Sequence, residues 1–157
     1  MSGIEPAVDN GFLPERARLL LASYRALLGR ELLPRAAIGE AARALYHAPF
    51  VVLSHDTAAD PVFVYANLAA QRLFEMPWCE IVGMPSRFSA EPLARDERQR
   101  LLERVARDGY IDDYAGVRIA RSGRRFRIAG ATVWNVSRED GRLAGQAAAF
   151  ADWAPLG

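Results

Sequence analysis

The sequence is poor in the residues that build metal clusters and disulfides. It has one cysteine, Cys79, two histidines, His47 and His55, and no lysine among its 20 basic residues. A single cysteine forms no intramolecular disulfide and no thiolate cluster, and two histidines alone do not complete a metal site. We therefore expect no metal ligands and a reducing compartment, the cytoplasm.

An excess of charge of one sign is also absent. The 20 arginines face 19 acidic residues, which gives a formal net charge of +1. This balance creates no strong field to attract nucleic acid or an anionic membrane surface. The N-terminus lacks a signal-peptide pattern, and no apolar run approaches the length of a membrane span. We expect neither nucleic acid nor a membrane as partner.

The motifs of catalysis are missing as well. The sequence shows no nucleophile spaced with a base, no metal-ligand set and no glycine-rich phosphate loop. We therefore predict that the chain is not an enzyme and assign no catalytic residue.

What is present is a globular composition in which 51% of the 157 residues are hydrophobic. Residues 1–12 lack periodicity and are predicted to form a flexible leader. Apolar residues at three- and four-residue spacings then predict two flanking helices within 13–46, over 13–28 and 34–46. A core over 47–153 and a tail over 154–157 complete the predicted organisation.

The core pattern is that of an α+β domain. Short β-branched and aromatic runs predict strands at 50–53, 62–65, 111–120, 124–136 and 142–152. Between them, helices are predicted over 67–74, 77–83 and 93–108, the last with Leu101, Leu102 and Val105 facing inward. The dipeptides Ser122-Gly123 and Asp140-Gly141 favour tight reversals between antiparallel strands.

Several sequence blocks, taken in order, resemble a known family. The segment 64–74 followed by 78–85 is similar to the core signature of PAS domains. More specifically, blocks at 48–55, 73–78, 85–92, 109–118, 123–126, 131–135 and 145–148 resemble the MEKHLA family in its stand-alone bacterial form. The resemblance covers roughly residues 15–153. It implies a PAS-like five-stranded antiparallel sheet with helices on one face, N-terminal flanking helices, and the 50–54 strand beside the last strand.

A second, local resemblance concerns flavin. The stretch Gly83-Met84-Pro85-Ser86-Arg87-Phe88 is similar to the Gly-x-Asn-Cys-Arg-Phe stretch of LOV photosensors. Ser86 stands where their reactive cysteine stands, so no cysteinyl–flavin adduct can form there. Flavin stays open as a cofactor, because Arg87 could pair with its phosphate.

These observations lead to one principal functional hypothesis and two alternatives. The first is a signalling module that binds a small apolar or heteroaromatic ligand between sheet and helices and signals through its N-terminal helices. The alternatives are a ligand-free protein-interaction or dimerisation module and a LOV-like flavin domain without the adduct cysteine. The candidate ligand-binding residues are Ser86, Arg87, Asn67, Phe126, Ile128 and Gln146.

Structural interpretations compete with each of these assignments. Asn67 is also explained as a helix cap, and the aromatic and aliphatic strand residues are also explained as core. The alternative for Arg87 is an ion pair with Glu91 or Asp112.

The first helix carries more leucine than its short length can hide. We expect it to form the contact of a symmetric homodimer, with Leu20, Tyr24 and Leu27 at the centre.

Overall fold

Helices and antiparallel strands alternate in the computed structural model, which describes residues 4–34, 40–91 and 95–156. The helices are α1 (Pro14–Leu28), α2 (Ala41–Tyr46), α3 (Leu68–Phe74), α4 (Trp78–Ile81) and α5 (Arg95–Asp108). The strands are β1 (Val51–His55), β2 (Phe63–Ala66), β3 (Tyr110–Ile119), β4 (Arg125–Ser137), β5 (Leu143–Phe150) and β6 (Asp152–Pro155). The predicted α+β class is confirmed. Residues 35–39 of the predicted second helix lie outside the described residues. Within the described ranges, no helix is both long enough and apolar enough to cross a membrane.

The sheet has the predicted PAS order, β2-β1-β5-β4-β3, with β1 beside the last long strand. The additional strand β6 continues β5 along β4 in the same register, since Thr132 lies opposite Ala149 and Ala129 lies opposite Asp152. A bend at Ala151 separates the two. The predicted tail from residue 154 is therefore wrong at its start, because β6 extends to Pro155.

The two faces of the sheet carry different helices. On β4, the Trp134 indole nitrogen donates to the Leu20 carbonyl of α1 at 3.3 Å, and the side-chain amide of Asn135 donates to the Val105 carbonyl of α5 at 3.5 Å. Neighbouring residues of a strand point to opposite faces. Helix α1 therefore covers one face at this point and α5 covers the other.

Helix α1 belongs to the core of its own chain. Leu20 is completely buried, and the Tyr24 ring meets the Trp134 ring edge-on with centroids 5.0 Å apart. The Ser23 hydroxyl accepts a 2.9 Å hydrogen bond from the Ser137 amide. This placement corrects the expected position of Leu20 and Tyr24 at the centre of a dimer contact, because the sheet already covers both side chains. The homodimer itself stays a prediction.

The segment before α1 makes contacts that a free leader would lack. Val8–Asn10 form a turn of 3-10 helix, and the Phe12 ring lies 6.1 Å from the Tyr46 ring. The Tyr46 hydroxyl donates to the Glu5 carboxylate at 2.9 Å. Glu5 and Phe12 therefore contact α2, and the flexibility of the leader over residues 1–12 stays a prediction.

Helix α5 packs a narrower apolar stripe against the domain than its sequence predicts. Val105 is buried and Leu101 is partly buried, whereas Leu102 is 48% exposed. Its predicted inward position is wrong, since Leu101 and Leu102 are consecutive on a helix and lie about 100° apart around its axis.

Candidate functional site

Asn67 lies at a buried junction of three elements. Its side-chain oxygen accepts from the amide of Val52 at 3.0 Å and from that of Ala70 at 3.1 Å, which caps α3. Its side-chain nitrogen donates to the carbonyls of Leu45 and Phe50 at 3.1 and 2.9 Å. Both donor hydrogens and the carbonyl oxygen are thus in use. Asn67 is therefore a structural residue that caps α3, and its assignment as a ligand contact stays an untested prediction.

Ser86 and Arg87 lie together in a 3-10 helix, Ser86–Ser89, at the surface. The Arg87 guanidinium forms an ion pair with Asp60 at 3.1 Å, and both side chains are more than half exposed. Its cation also stacks on the Phe88 ring at 4.3 Å. The expected partners Glu91 and Asp112 are therefore wrong, and Arg87 points to solvent rather than into the interior.

Phe126 and Ile128 are core residues. They are 0% and 1% exposed, and the Phe126 ring packs against Phe74 of α3 with centroids 5.4 Å apart. This bears out their interpretation as core, and direct contact with a ligand would require the rings to separate.

Gln146 belongs to a polar pair on the sheet face that carries α5. Its amide nitrogen donates to the Asn135 oxygen at 3.2 Å, and Asn135 in turn donates to Val105 of α5. His55 occupies the next strand, opposite Gln146. Both amides are partly exposed. Asn135 was missed from sequence, although its position beside the inward-packed Trp134 marks it as a polar residue on the other face.

The cavity on this side of the protein is a groove of about 620 Å³ between α5 and β3. Its floor is aromatic, because the Tyr114 ring lies along β3 above Gly116. A β-carbon added at Gly116 would come within 2.6 Å of the Tyr114 hydroxyl, so only glycine leaves the ring room to lie flat. Leu101 and Arg104 of α5 form part of the opposite wall. None of the six residues predicted from sequence to bind a ligand lines this groove.

The rim of the groove is charged on both sides. Arg104 pairs with Asp113 at 2.9 Å, and Glu91 pairs with Arg125. Arg100 and Arg127 also line the groove, and neither has a carboxylate within 4 Å among the described side chains. The groove therefore combines the Tyr114 ring, over which the Arg118 guanidinium lies at 5.6 Å, with the cations Arg100 and Arg127 and the acid Glu97, none of which forms an ion pair among the described side chains.

The groove is connected to α1 through one glycine. Gly109 ends α5 and precedes β3, with φ of 83°. A β-carbon at Gly109 would lie 2.5 Å from a Leu27 methyl, so α1 packs directly on this junction. The Gly109 carbonyl also accepts a hydrogen bond from the backbone amide of Asn135 at 2.9 Å. The C-terminal part of α1 therefore contacts the residue that joins α5 to β3.

Solved structures share this fold. An RNA-binding light-oxygen-voltage receptor is 26% identical with a TM-score of 0.60, over 75% of this chain and 34% of that chain. This chain therefore spans about a third of that receptor. A PAS domain from Colwellia psychrerythraea is 12% identical with a TM-score of 0.61, over 76% of this chain and 96% of that one. The light-state dimer of the fungal photoreceptor Vivid is 17% identical with a TM-score of 0.59, over 85% and 90%. The chain thus has the fold of PAS and LOV sensory domains.

The family follows from sequence. The model of the MEKHLA domain matches residues 14–155, nearly the whole chain, and the chain belongs to the MEKHLA domain family. No curated protein is significantly similar to it in sequence. The family predicted from the sequence blocks is confirmed.

Proposed function

We propose that this chain is a cytoplasmic sensory domain that binds a small ligand in the groove between α5 and β3 and passes its occupancy to α1. The observation that carries the proposal is the contact of Leu27 with Gly109. This junction joins both walls of the groove to the helix on the other face of the sheet. A ligand that binds one arrangement of α5 better shifts the population toward it, by no more than the difference in its two affinities.

The chemistry of the groove selects the ligand class. The flat Tyr114 ring and Leu101 favour a planar aromatic or heteroaromatic body, and Arg100 and Arg127 favour a polar or anionic substituent. The role that we propose for the groove is sensory rather than catalytic.

Native mass spectrometry of the purified chain tests ligand binding, with a matched pair of variants. Leu101→Trp places a large side chain in the groove, whereas Leu102→Trp places the same side chain one position on, at an exposed site. We expect a retained small molecule in the wild type and in Leu102→Trp, and its loss from Leu101→Trp. Circular dichroism of both variants controls for folding.

Two results would contradict the proposal. Equal retention in both tryptophan variants places the ligand elsewhere. A wild type that retains no ligand, and gains none on incubation with a metabolite extract, favours the alternative of a ligand-free interaction module.

Flavin does not fit the place that the LOV resemblance gives it. A flavin analogue figures in the study of one LOV domain with this fold. In this chain Phe74 meets Phe126 directly, and the cation of Arg87, the residue expected to hold the phosphate, lies at the surface with Asp60. The side chains present do not fit a flavin there, and we derive no photochemical step. A purified chain with a flavin absorption band near 450 nm would overturn this conclusion.

Self-association through α1 is the second function that we propose. The fungal neighbour Vivid is known as a light-state dimer. Because Leu20 and Tyr24 are buried within the chain, a dimer would use the partly exposed side of α1, which includes Leu21 and Leu28. Leu21→Glu is expected to convert dimer to monomer in sedimentation with the fold retained, and a monomeric wild type would overturn it.

The arginines of the β3–β4 hairpin support a role without nucleic acid. Arg121 pairs with Glu80, Arg125 with Glu91, and Arg124 lies 3.7 Å from a Glu75 oxygen. Paired charges leave little net field for a phosphate backbone. The RNA binding of the light-oxygen-voltage receptor is that protein's own property.

A further inference from the structure

A second cavity, of about 880 Å³, lies where the start of α1 meets the turn between β4 and β5. One part of its lining is apolar and includes Leu13, Leu19, Val64 and the buried Trp78. The other part is charged and comes from the first turn of α1 and from residues 138–140. It is separate from the α5–β3 groove, with which it shares no lining residue.

The carboxylates around this cavity already form ion pairs with arginine side chains. Arg18 pairs with Glu15 at 2.7 Å and also with Glu139. Asp140 lies 3.6 Å from Arg142. These groups form a rim of ion pairs that offers no free carboxylate to a further cation.

Two arginines of the lining remain without such a partner. Neither Arg16 nor Arg138 has a carboxylate within 4 Å in the described part of the chain. Arg16 is partly buried, and burial, followed by the positive charge of Arg138, lowers its guanidinium pKa. The negative charge of Asp56 opposes this shift without an ion pair, and the Asp56 Oδ1 accepts from the amides of Ala58 and Val62 at 3.2 and 3.1 Å.

Two like charges that line one cavity, one of them partly desolvated, leave an electrostatic demand that an anion satisfies. The guanidinium group matches carboxylate and sulfonate oxygens with two parallel hydrogen bonds. The adjoining apolar wall accommodates a hydrophobic body. A purely inorganic anion would leave that wall uncovered.

We propose that this cavity is a second binding site, for an organic anion with an aromatic or aliphatic body, whose carboxylate is held by Arg16 and Arg138. Because Arg16 is in the first turn of α1 and Arg138 follows β4, the bound anion bridges helix and sheet. Binding therefore strengthens the docking of α1.

Isothermal titration of the full chain with 2-naphthoate tests the site. The neutral 2-naphthamide and inorganic phosphate separate the contributions of the charge and of the apolar body. Arg16→Gln and Arg138→Gln each remove one cation. Arg25→Gln is the matched control, because Arg25 lies on the same helix, is exposed and pairs with Glu31 at 3.2 Å away from the cavity.

We expect 2-naphthoate to bind the wild type more tightly than 2-naphthamide and phosphate do. Each cavity variant should lower its affinity by about tenfold, equivalent to about 1.4 kcal/mol. Arg25→Gln should stay within about twofold of the wild type. Arg138 is on an exposed turn, so its variant remains informative if Arg16→Gln fails to fold.

Three results would overturn the proposal. The first is the same affinity for 2-naphthoate in Arg16→Gln, Arg138→Gln and Arg25→Gln. The second is equal binding of 2-naphthamide and 2-naphthoate by the wild type, and the third is no binding of 2-naphthoate at all. The α5–β3 groove also suits an aromatic anion, so the titrations are repeated in the Leu101→Trp background, in which that groove is filled and the dependence on Arg16 and Arg138 is expected to persist. Failure at one site is therefore distinguishable from failure at the other.

Discussion

Replacement of Asn67 by alanine tests whether this residue is the structural centre of the domain. The change removes four hydrogen bonds and takes this partner from the Phe50 carbonyl and from the amides of Val52 and Ala70, whereas the Leu45 carbonyl keeps a bond from the Ala48 amide at 3.3 Å. At about 1 kcal/mol for each net hydrogen bond, the four bonds account for about 4 kcal/mol, and the buried groups left unsatisfied increase this loss. That is a large part of the roughly 5–15 kcal/mol that stabilises an ordinary domain.

Urea unfolding, followed by circular dichroism, measures this loss. Asn10→Ala is the control, because Asn10 makes the same type of side-chain hydrogen bonds to the backbone of Glu5, Ala7 and Phe12, but in a part-exposed turn. We expect it to cost about 1 kcal/mol or less, since water replaces the lost bonds. Equal losses in the two variants would refute the reasoning, because burial would then have no effect.

An aspartate at position 67 separates the two halves of this network. Its carboxylate still accepts from Val52 and Ala70, but it meets the carbonyls of Leu45 and Phe50 with an oxygen instead of a donor. Burial beside these oxygens raises the pKa of the new carboxyl above the usual value of about 3.9. The unfolded chain then ionises first, and Asn67→Asp loses stability as the pH rises above about 4. A stability independent of pH, relative to the wild type, would contradict this.

Other predictions concern buried groups at the two sheet faces. The Tyr65 hydroxyl is buried with no hydrogen-bond partner among the described residues, so Tyr65→Phe should raise the free energy of unfolding by about 1 kcal/mol. Tyr46→Phe should lower it, because the Tyr46 hydroxyl is bonded to Glu5 and Gln71. A change of the same sign in both variants would be inconsistent with these contacts. Burial raises the pKa of Tyr46 to about 12, so the Tyr46 phenol of the unfolded chain ionises first, near pH 10. The fold should therefore lose stability between about pH 10 and 12, and Tyr46→Phe should lose less. The same alkaline loss of circular dichroism signal in the wild type and in Tyr46→Phe would argue against this. Leu20→Ala should cost about 2–5 kcal/mol at any protein concentration, and a loss that disappears on dilution would instead place Leu20 between chains. Gly109→Ala should weaken the packing of α1 and so speed hydrogen exchange of its amides. Adding Leu27→Ala to Gly109→Ala should restore only part of the protection, because it removes the steric clash and leaves the positive φ at residue 109. Complete restoration would show that the backbone is unstrained.

The local elements of this protein could be predicted from its sequence because each depends on residues a few positions apart. Asn67 caps α3 three residues on, and Gly123 and Gly141 allow the positive φ values at the two hairpin turns. The first four strands lie within two residues of the bounds predicted from their β-branched and aromatic runs, whereas the predicted strand 142–152 is divided at Ala151 into β5 and β6. The family followed from ordered blocks over nearly the whole chain.

The tertiary structure alone decided which partner each of these elements meets. A leucine-rich helix must bury one face, but the pattern is the same whether a sheet or a second chain covers it, and here Trp134 lies 114 residues from Leu20. Arg87 pairs with Asp60 rather than with nearer candidates, since the loop after β1 passes beside it. The α5–β3 groove depends on Tyr114 lying over Gly116, a contact that strand alternation allows and only the packed helix makes into a cavity. Long-range packing chooses among partners that short-range patterns leave equivalent, and it therefore determined where the candidate sites lie.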